Sequence, residues 1–182
     1  MEYQTEAVTM WFDRRLVMRS SPIHGIGTFA THAISRGERL IWIGGGFVYT
    51  SKDWQTGKVQ LAPEQYNESQ IGADLFIATP KSLYYYVNHS CDPTMLNDVA
   101  WRDIEAGEEL TLDYAYCEAS PDYRLEPCRC GSSLCRGRVT GDDWKLPELQ
   151  RRYRGYFTPY IERLMREWNV QGNDRLDSTQ QS

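Results

Sequence analysis

The chain has 182 residues, 41% of them hydrophobic and 25% charged, which fits one globular domain with a core of its own. No apolar run approaches the roughly 18–20 residues that a bilayer crossing needs, and the acidic start Met1-Glu-Tyr-Gln-Thr-Glu lacks an apolar signal segment, so an intracellular protein without a membrane partner is expected. A net charge of −5 argues against a nucleic-acid binder of the basic kind, and no direct nucleic-acid contact is expected.

Residues 1–15 read as an N-terminal lead-in. From Leu16 the chain shows short β-like runs broken by glycine: Leu16-Val-Met, Gly27-Thr-Phe-Ala, Arg39-Leu-Ile-Trp-Ile and Phe47-Val-Tyr. Residues 51–72 look polar and irregular, with one helical turn after Pro63. Strand character resumes in Asp74-Leu-Phe-Ile-Ala-Thr and Tyr84-Tyr-Tyr-Val. Two further strands, Val99–Ile104 and Glu109–Tyr114, flank the turn Glu105-Ala-Gly-Glu.

Beyond residue 140 the period changes. Leu149, Tyr153, Tyr156, Phe157, Tyr160, Ile161, Leu164, Met165 and Trp168 recur every three or four positions, one apolar helical face that reads as core packing. Pro159 breaks this face into two helices or kinks a single one, with Thr158 capping the second half. Residues 171–182 read as a flexible tail.

Charge and cysteine are unevenly spread. Between Asp98 and Glu126 there are nine acidic residues against Arg102 and Arg124. Such a face would draw in a lysine-rich peptide, or it is a solvated face with no partner. Of the five cysteines, Cys128, Cys130 and Cys135 fall in C-x-C-x4-C spacing around Gly131. Thiolates this close converge on one ion, and zinc takes four ligands tetrahedrally. The fourth is Cys91 or Cys117, and spacing does not choose between them.

Two further segments are ordinary singly. Asn88-His-Ser-Cys-Asp-Pro93 reads as a polar turn, and Glu108-Glu-Leu-Thr-Leu-Asp-Tyr114 as a strand ending in a packed tyrosine. In this order, after His24-Gly-Ile-Gly-Thr-Phe and before the cysteine cluster, they carry a specific pattern. Over about residues 16–137 the chain resembles the SET-domain family of protein lysine methyltransferases with a post-SET zinc segment.

The resemblance implies a mainly β fold, the β-clip or SET fold of small curved sheets with a knot-like crossing, plus C-terminal α-helices. It implies a SET domain over 16–117, a post-SET zinc segment over 126–140 and a helical appendage over 141–170. S-adenosylmethionine would be the co-substrate and Zn2+ a structural ion on Cys91, Cys128, Cys130 and Cys135, which leaves Cys117 spare. Tyr114 would be catalytic. His24, Gly25, Ile26, Gly27, Tyr85, Asn88, His89, Tyr114 and Leu134 would hold the cofactor. Tyr85 stands where members commonly carry arginine, Ile43-Gly-Gly-Gly46 where many carry tyrosine followed by x-Gly-Glu, and the interval between Pro93 and Val99 is short.

Methyl transfer to lysine is an in-line displacement, so positioning supplies much of the acceleration. The amine must be neutral, and an apolar channel lowers its pKa from about 10.4 without a strong protein base. Leu112, two residues before Tyr114, would line the substrate channel. It lacks the hydroxyl that restricts product, so di- or trimethylation is expected. The partner class is a lysine-containing basic protein, a histone being the commonest. A catalytically silent module that binds basic peptides, and a zinc-stabilised interaction domain without cofactor, are the alternatives.

Overall fold

The computed structural model describes residues 10–179, with side chains as far as Val170. Residues 1–9 of the lead-in and 180–182 of the tail lie outside the described residues. The strands are short: β1 (Trp11–Phe12), β2 (Leu16–Ser20), β3 (Ile26–Ala30), β4 (Ile41–Trp42) and β5 (Phe47–Tyr49). After helix α1 (Ser51–Gln55) come β6 (Tyr66–Gly72), β7 (Leu75–Pro80), β8 (Asn88–His89), β9 (Met95–Leu96), β10 (Val99–Ala100) and β11 (Glu109–Leu112). The chain then runs through β12 (Arg124–Leu125), β13 (Val139–Thr140), α2 (Pro147–Arg152) and α3 (Pro159–Thr179). This is the mainly β architecture of small sheets with C-terminal helices that the sequence implies. No helix of the described residues is long and apolar enough to cross a membrane.

The central sheet has the order β2-β3-β11-β8. All four residues of β11 are buried, because the strand is paired on both sides. It runs antiparallel to β3 and parallel to β8, with Thr111 opposite Asn88 and Leu112 opposite His89. The segment ending at Tyr114 thus lies beside the Asn88–Cys91 segment. A second sheet, β5-β7-β6, projects from the core, and the core itself gathers Leu40, Ile41, Met95, Leu96, Ile104 and Leu110 with Tyr153 and Ile161 from the C-terminal region. The apolar helical face read from the sequence is core packing at Leu149, Tyr153, Phe157 and Ile161.

The short interval before Val99 closes as a two-residue hairpin. Leu96 faces Val99, and Asn97 and Asp98 both take left-handed backbone, with φ of 46° and 67°. Asn and Asp tolerate that region best among non-glycine residues, and this turn matches the twist of the strands it joins.

Several expectations need correction. Residues 51–72 are not irregular. Thr50 and Asp53 form a capping box that starts α1 at Ser51, and β6 pairs with β7 from Tyr66 to Gly72. The strand escapes notice because it is an edge, half-exposed and polar. Pro63–Gln65 makes only a turn. Leu83–Tyr86 is a 3-10 turn rather than a strand, and the Thr28 hydroxyl donates to the Leu83 carbonyl at 2.7 Å. The last strand stops at Leu112, since Asp113 accepts the Ala115 N–H at 3.1 Å and caps a 3-10 turn over Tyr114–Tyr116. Val99–Ile104 is strand only over Val99–Ala100, and the Glu105–Glu108 turn is held at its base by the Ile34–Ile104 bridge. Thr158 accepts the first α3 bond through its carbonyl, from Glu162 N–H at 2.9 Å, while its hydroxyl has no partner among the described residues. Helix α3 continues to Thr179, through part of the stretch assigned to a tail.

Four of the nine carboxylates of the acidic run are engaged within the fold. Glu109 and Asp113 are buried, Glu108 pairs with Arg102, and Asp103 accepts the Arg36 N–H at 2.8 Å. These carboxylates hold turns and strands together instead of forming one exposed field.

Candidate active site

Asn88 starts β8 and reaches across to the β2–β3 loop. Its side-chain amide donates to the carbonyls of His24 at 3.1 Å and Ile26 at 3.2 Å, and to Glu109 Oε1 at 2.7 Å. The Ser21 hydroxyl bonds both oxygens of the same carboxylate at 2.8 Å. A Cβ on Gly27 would fall 2.2 Å from Glu109 Oε1. Gly27 is therefore glycine to admit Glu109, and it does not line the neighbouring cleft. Gly25 has φ of +48°, open space where a Cβ would stand, and does line it.

That cleft has a volume of about 850 Å³. It brings together His24, Gly25, Ile26, Tyr85, Asn88, Leu112 and Tyr114, with Tyr84, Val87, Cys117 and Tyr123 beside them. Two elements outside the sequence expectation complete it, residues Asn67–Ile71 of β6 and Thr158–Tyr160 at the start of α3. The Tyr114 hydroxyl donates to the Val87 carbonyl at 3.1 Å. Burial foremost, with Tyr123 and Cys117 adding, holds this phenol well above the usual tyrosine value, so it stays protonated.

His89 does not reach the cleft. Its ring is buried, with Nδ1 accepting the Tyr114 N–H at 3.2 Å and Nε2 lying 3.3 Å from Cys91 Sγ. The sulfurs of Cys91, Cys128, Cys130 and Cys135 all lie within 4.8 Å of one another. A tetrahedral ion with bonds of about 2.3 Å fits four thiolates at such separations. Backbone N–H groups already point at two of them, Arg136 to Cys91 at 3.3 Å and Gly137 to Cys135 at 3.4 Å. Burial works against ionising Cys130, yet the N–H groups of Cys91 and Ser132 and the neighbouring thiols bring it down to about 7. Cys117 stands apart, a half-buried thiol near the Tyr114 carbonyl.

A family model described as SET domain matches residues 25–115, half of the chain. The chain belongs to the SET-domain family. It is similar to histone-lysine N-methyltransferase TRX1 of Oryza sativa, 33% identical over a match of 151 positions that covers 70% of this chain and 14% of that protein. It is also similar to the H3 lysine-4 specific histone-lysine N-methyltransferase of Saccharomyces cerevisiae, 27% identical over a match of 139 positions that covers 64% of this chain and 12% of that protein. Histone-lysine N-methyltransferase ash1 of Drosophila melanogaster is 37% identical over a match of 76 positions that covers 35% of this chain and 3% of that protein. The chain spans at most 14% of the length of these relatives.

In this SET domain the cysteine loop is bolted to the tyrosine by an ion pair that the motifs do not announce. Arg136 meets Asp113 with both terminal nitrogens at 2.7 Å, and its Nε donates to Asp143 at 3.0 Å. The Tyr153 hydroxyl donates to the same Asp113 at 2.9 Å. Burial opposes the charge on Asp113, but Arg136 prevails and holds the carboxyl below its ordinary range. Arg152 of α2 donates to the Cys91 carbonyl at 2.8 Å and pairs with Asp92. The C-terminal region is thus a clamp on the motif loops. The hints were positional only, Asp113 directly before Tyr114 and Arg136 directly after Cys135. Leu134, expected over the cofactor, is 52% exposed and outside the cleft.

Proposed function

We propose that this chain transfers methyl groups from S-adenosylmethionine to the ε-amine of lysine in a basic protein substrate, with Zn2+ as a structural ion on Cys91, Cys128, Cys130 and Cys135. The observation that carries it is the protonated Tyr114 hydroxyl, fixed to the Val87 carbonyl inside a cleft whose adjoining residues are Asn88 and the His24–Ile26 loop. S-adenosylmethionine supplies the methyl group on a positively charged sulfur. The chain's own residues bind and orient. The Asn88 amide fixes the aim of the His24–Ile26 backbone, and the open face of Gly25 lets a ligand approach that backbone closely.

Tyr114 donates its one proton to Val87 O, which leaves its oxygen lone pairs to accept from an amine. A tyrosine held protonated does not act as the base. The lysine gives its proton up to solvent instead, and the apolar surroundings of Val87, Leu112, Tyr84 and Phe76 favour that loss because they disfavour the ammonium. Cys91, Cys128, Cys130 and Cys135 closed around one ion would leave it no open coordination position, so the metal would hold the loop of residues 128–136 in place without joining the reaction.

The test is label transfer from S-adenosylmethionine to mixed core histones and to a basic-protein extract, with Tyr114→Phe alongside. The expected result is label on lysine that falls about hundredfold in the variant, the cost of a misplaced amine. A folded, zinc-replete protein that binds S-adenosylmethionine yet labels nothing would leave only a silent peptide-binding module.

A further inference from the structure

The cleft around Tyr114 is unevenly charged. Glu68 and Glu118 line it, and no lysine or arginine does. The two carboxylates differ. Glu68 accepts the Tyr49 hydroxyl, so part of its capacity is used within the fold. Glu118 accepts one peptide N–H, that of Ser120 at 2.7 Å, on Oε1. It takes part in none of the ion pairs among the described residues. Its own N–H donates to the Tyr114 carbonyl at 2.7 Å, which keeps it one turn of chain, roughly 6 Å, from Tyr114.

A half-buried carboxylate that lines a cleft and has no cation of its own is free to meet one that a ligand brings. Its field reaches its neighbours: burial first, then Glu118, push the Tyr123 hydroxyl up to about 12 and raise the Cys117 thiol. A carboxylate placed against the accepting lysine would hold that amine as an ammonium and oppose transfer. The cation that Glu118 is built to meet therefore belongs to another side chain.

We propose that Glu118 determines specificity: the lysine that is methylated has a second basic side chain within about three residues, the ~10 Å of an extended peptide, and Glu118 pairs with it. The inference rests on the methyl-transfer reading above. Arginine fits better than lysine, since its planar fork meets a carboxylate edge at two points.

Peptide libraries with one central lysine and varied flanking positions, incubated with the full chain, Zn2+ and labelled S-adenosylmethionine, read the preference directly. Wild type is expected to enrich arginine roughly tenfold at one flanking position, a ratio that Glu118→Gln brings close to one and Glu118→Lys turns toward acidic flanks. Because the readout is a ratio within one protein, partial unfolding of a variant does not imitate it. The KM for S-adenosylmethionine is expected to stay constant in both variants. A flat wild-type profile, a preference that survives Glu118→Gln, or a rise in that KM in place of the lost preference would overturn the assignment. No labelled lysine in any wild-type library would sink methyl transfer itself, which is a different failure.

Discussion

His89 joins Tyr114 to Cys91. Its Nδ1 accepts the Tyr114 N–H at 3.2 Å, which places the ring proton on Nε2, 3.3 Å from the Cys91 sulfur. Burial above all brings the imidazole down to about 4, so it is neutral in ordinary buffers and donates one hydrogen bond while accepting the other. The turn that presents Tyr114 is thereby tied to the cysteine cluster.

Replacing His89 with alanine leaves a cavity and an unpaired N–H on Tyr114. The expected loss is about 2–4 kcal/mol, read from urea denaturation, together with weaker zinc retention on dialysis. A variant that keeps its full metal content and its wild-type midpoint would show that the imidazole does not bridge the two sites.

Arg136 and Asp113 make a sign-dependent prediction. Asp113 is held below its ordinary value of 3.8 in the fold, so its contribution is fully present above that pH and is lost as pH falls through the lower folded value. Arg136→Ala leaves a buried carboxylate without its cation and is expected to cost about 3–5 kcal/mol near neutral pH. Burial then raises the Asp113 pKa, so acidification relieves part of the defect. Denaturation curves between pH 3 and 7 check this. A deficit that grows on acidification contradicts it.

The parts legible in the sequence were those whose chemistry is tied to spacing. Three thiols in C-x-C-x4-C point to a metal site, and the family resemblance carried by Asn88-His-Ser-Cys and Leu112-Asp-Tyr114 implied that these two segments lie side by side. Long-range partners leave no such trace. Glu109 looks like any polar residue of a strand, and only the pairing of β3 with β11 shows that Gly27 makes room for it. Strand β6 lacks the alternation of a half-buried strand, because an edge is solvated on more than one side. In the acidic run from Asp98 to Glu126, likewise, charge counts do not reveal which carboxylates are already paired inside.

Metal removal separates the two cysteine classes. Chelation of the holoprotein is expected to lower its melting temperature and release the loop that Arg136 anchors, since binding energy at such a site is folding energy. Cys91→Ser removes one donor of the cluster and is expected to lower zinc stoichiometry and stability together. Cys117→Ser touches none of the four sulfurs and is expected to leave zinc stoichiometry at the wild-type value. Equal metal loss in both serine variants would mean that the cluster of four is drawn wrongly.

Leu112 bears on how many methyl groups the cleft admits. It is 3% exposed, lines the same cleft as Tyr114 and sits two residues before it, and under the proposed methyl transfer it would bound the space for the amine. An aliphatic side chain there offers no hydrogen bond to hold a water or an amine in one orientation, and a methylated amine is free to turn and accept again. Leu112→Tyr brings a hydroxyl to that place, at a cost of about 1–3 kcal/mol in overpacking. The expected change is from di- or trimethyl product in wild type toward monomethyl product in the variant, read by mass spectrometry of the same peptide after equal total turnover. The stability cost lowers the amount of active protein without altering the product ratio, so the ratio isolates the effect. Monomethyl product alone from both proteins would mean that something other than Leu112 limits the space around the amine.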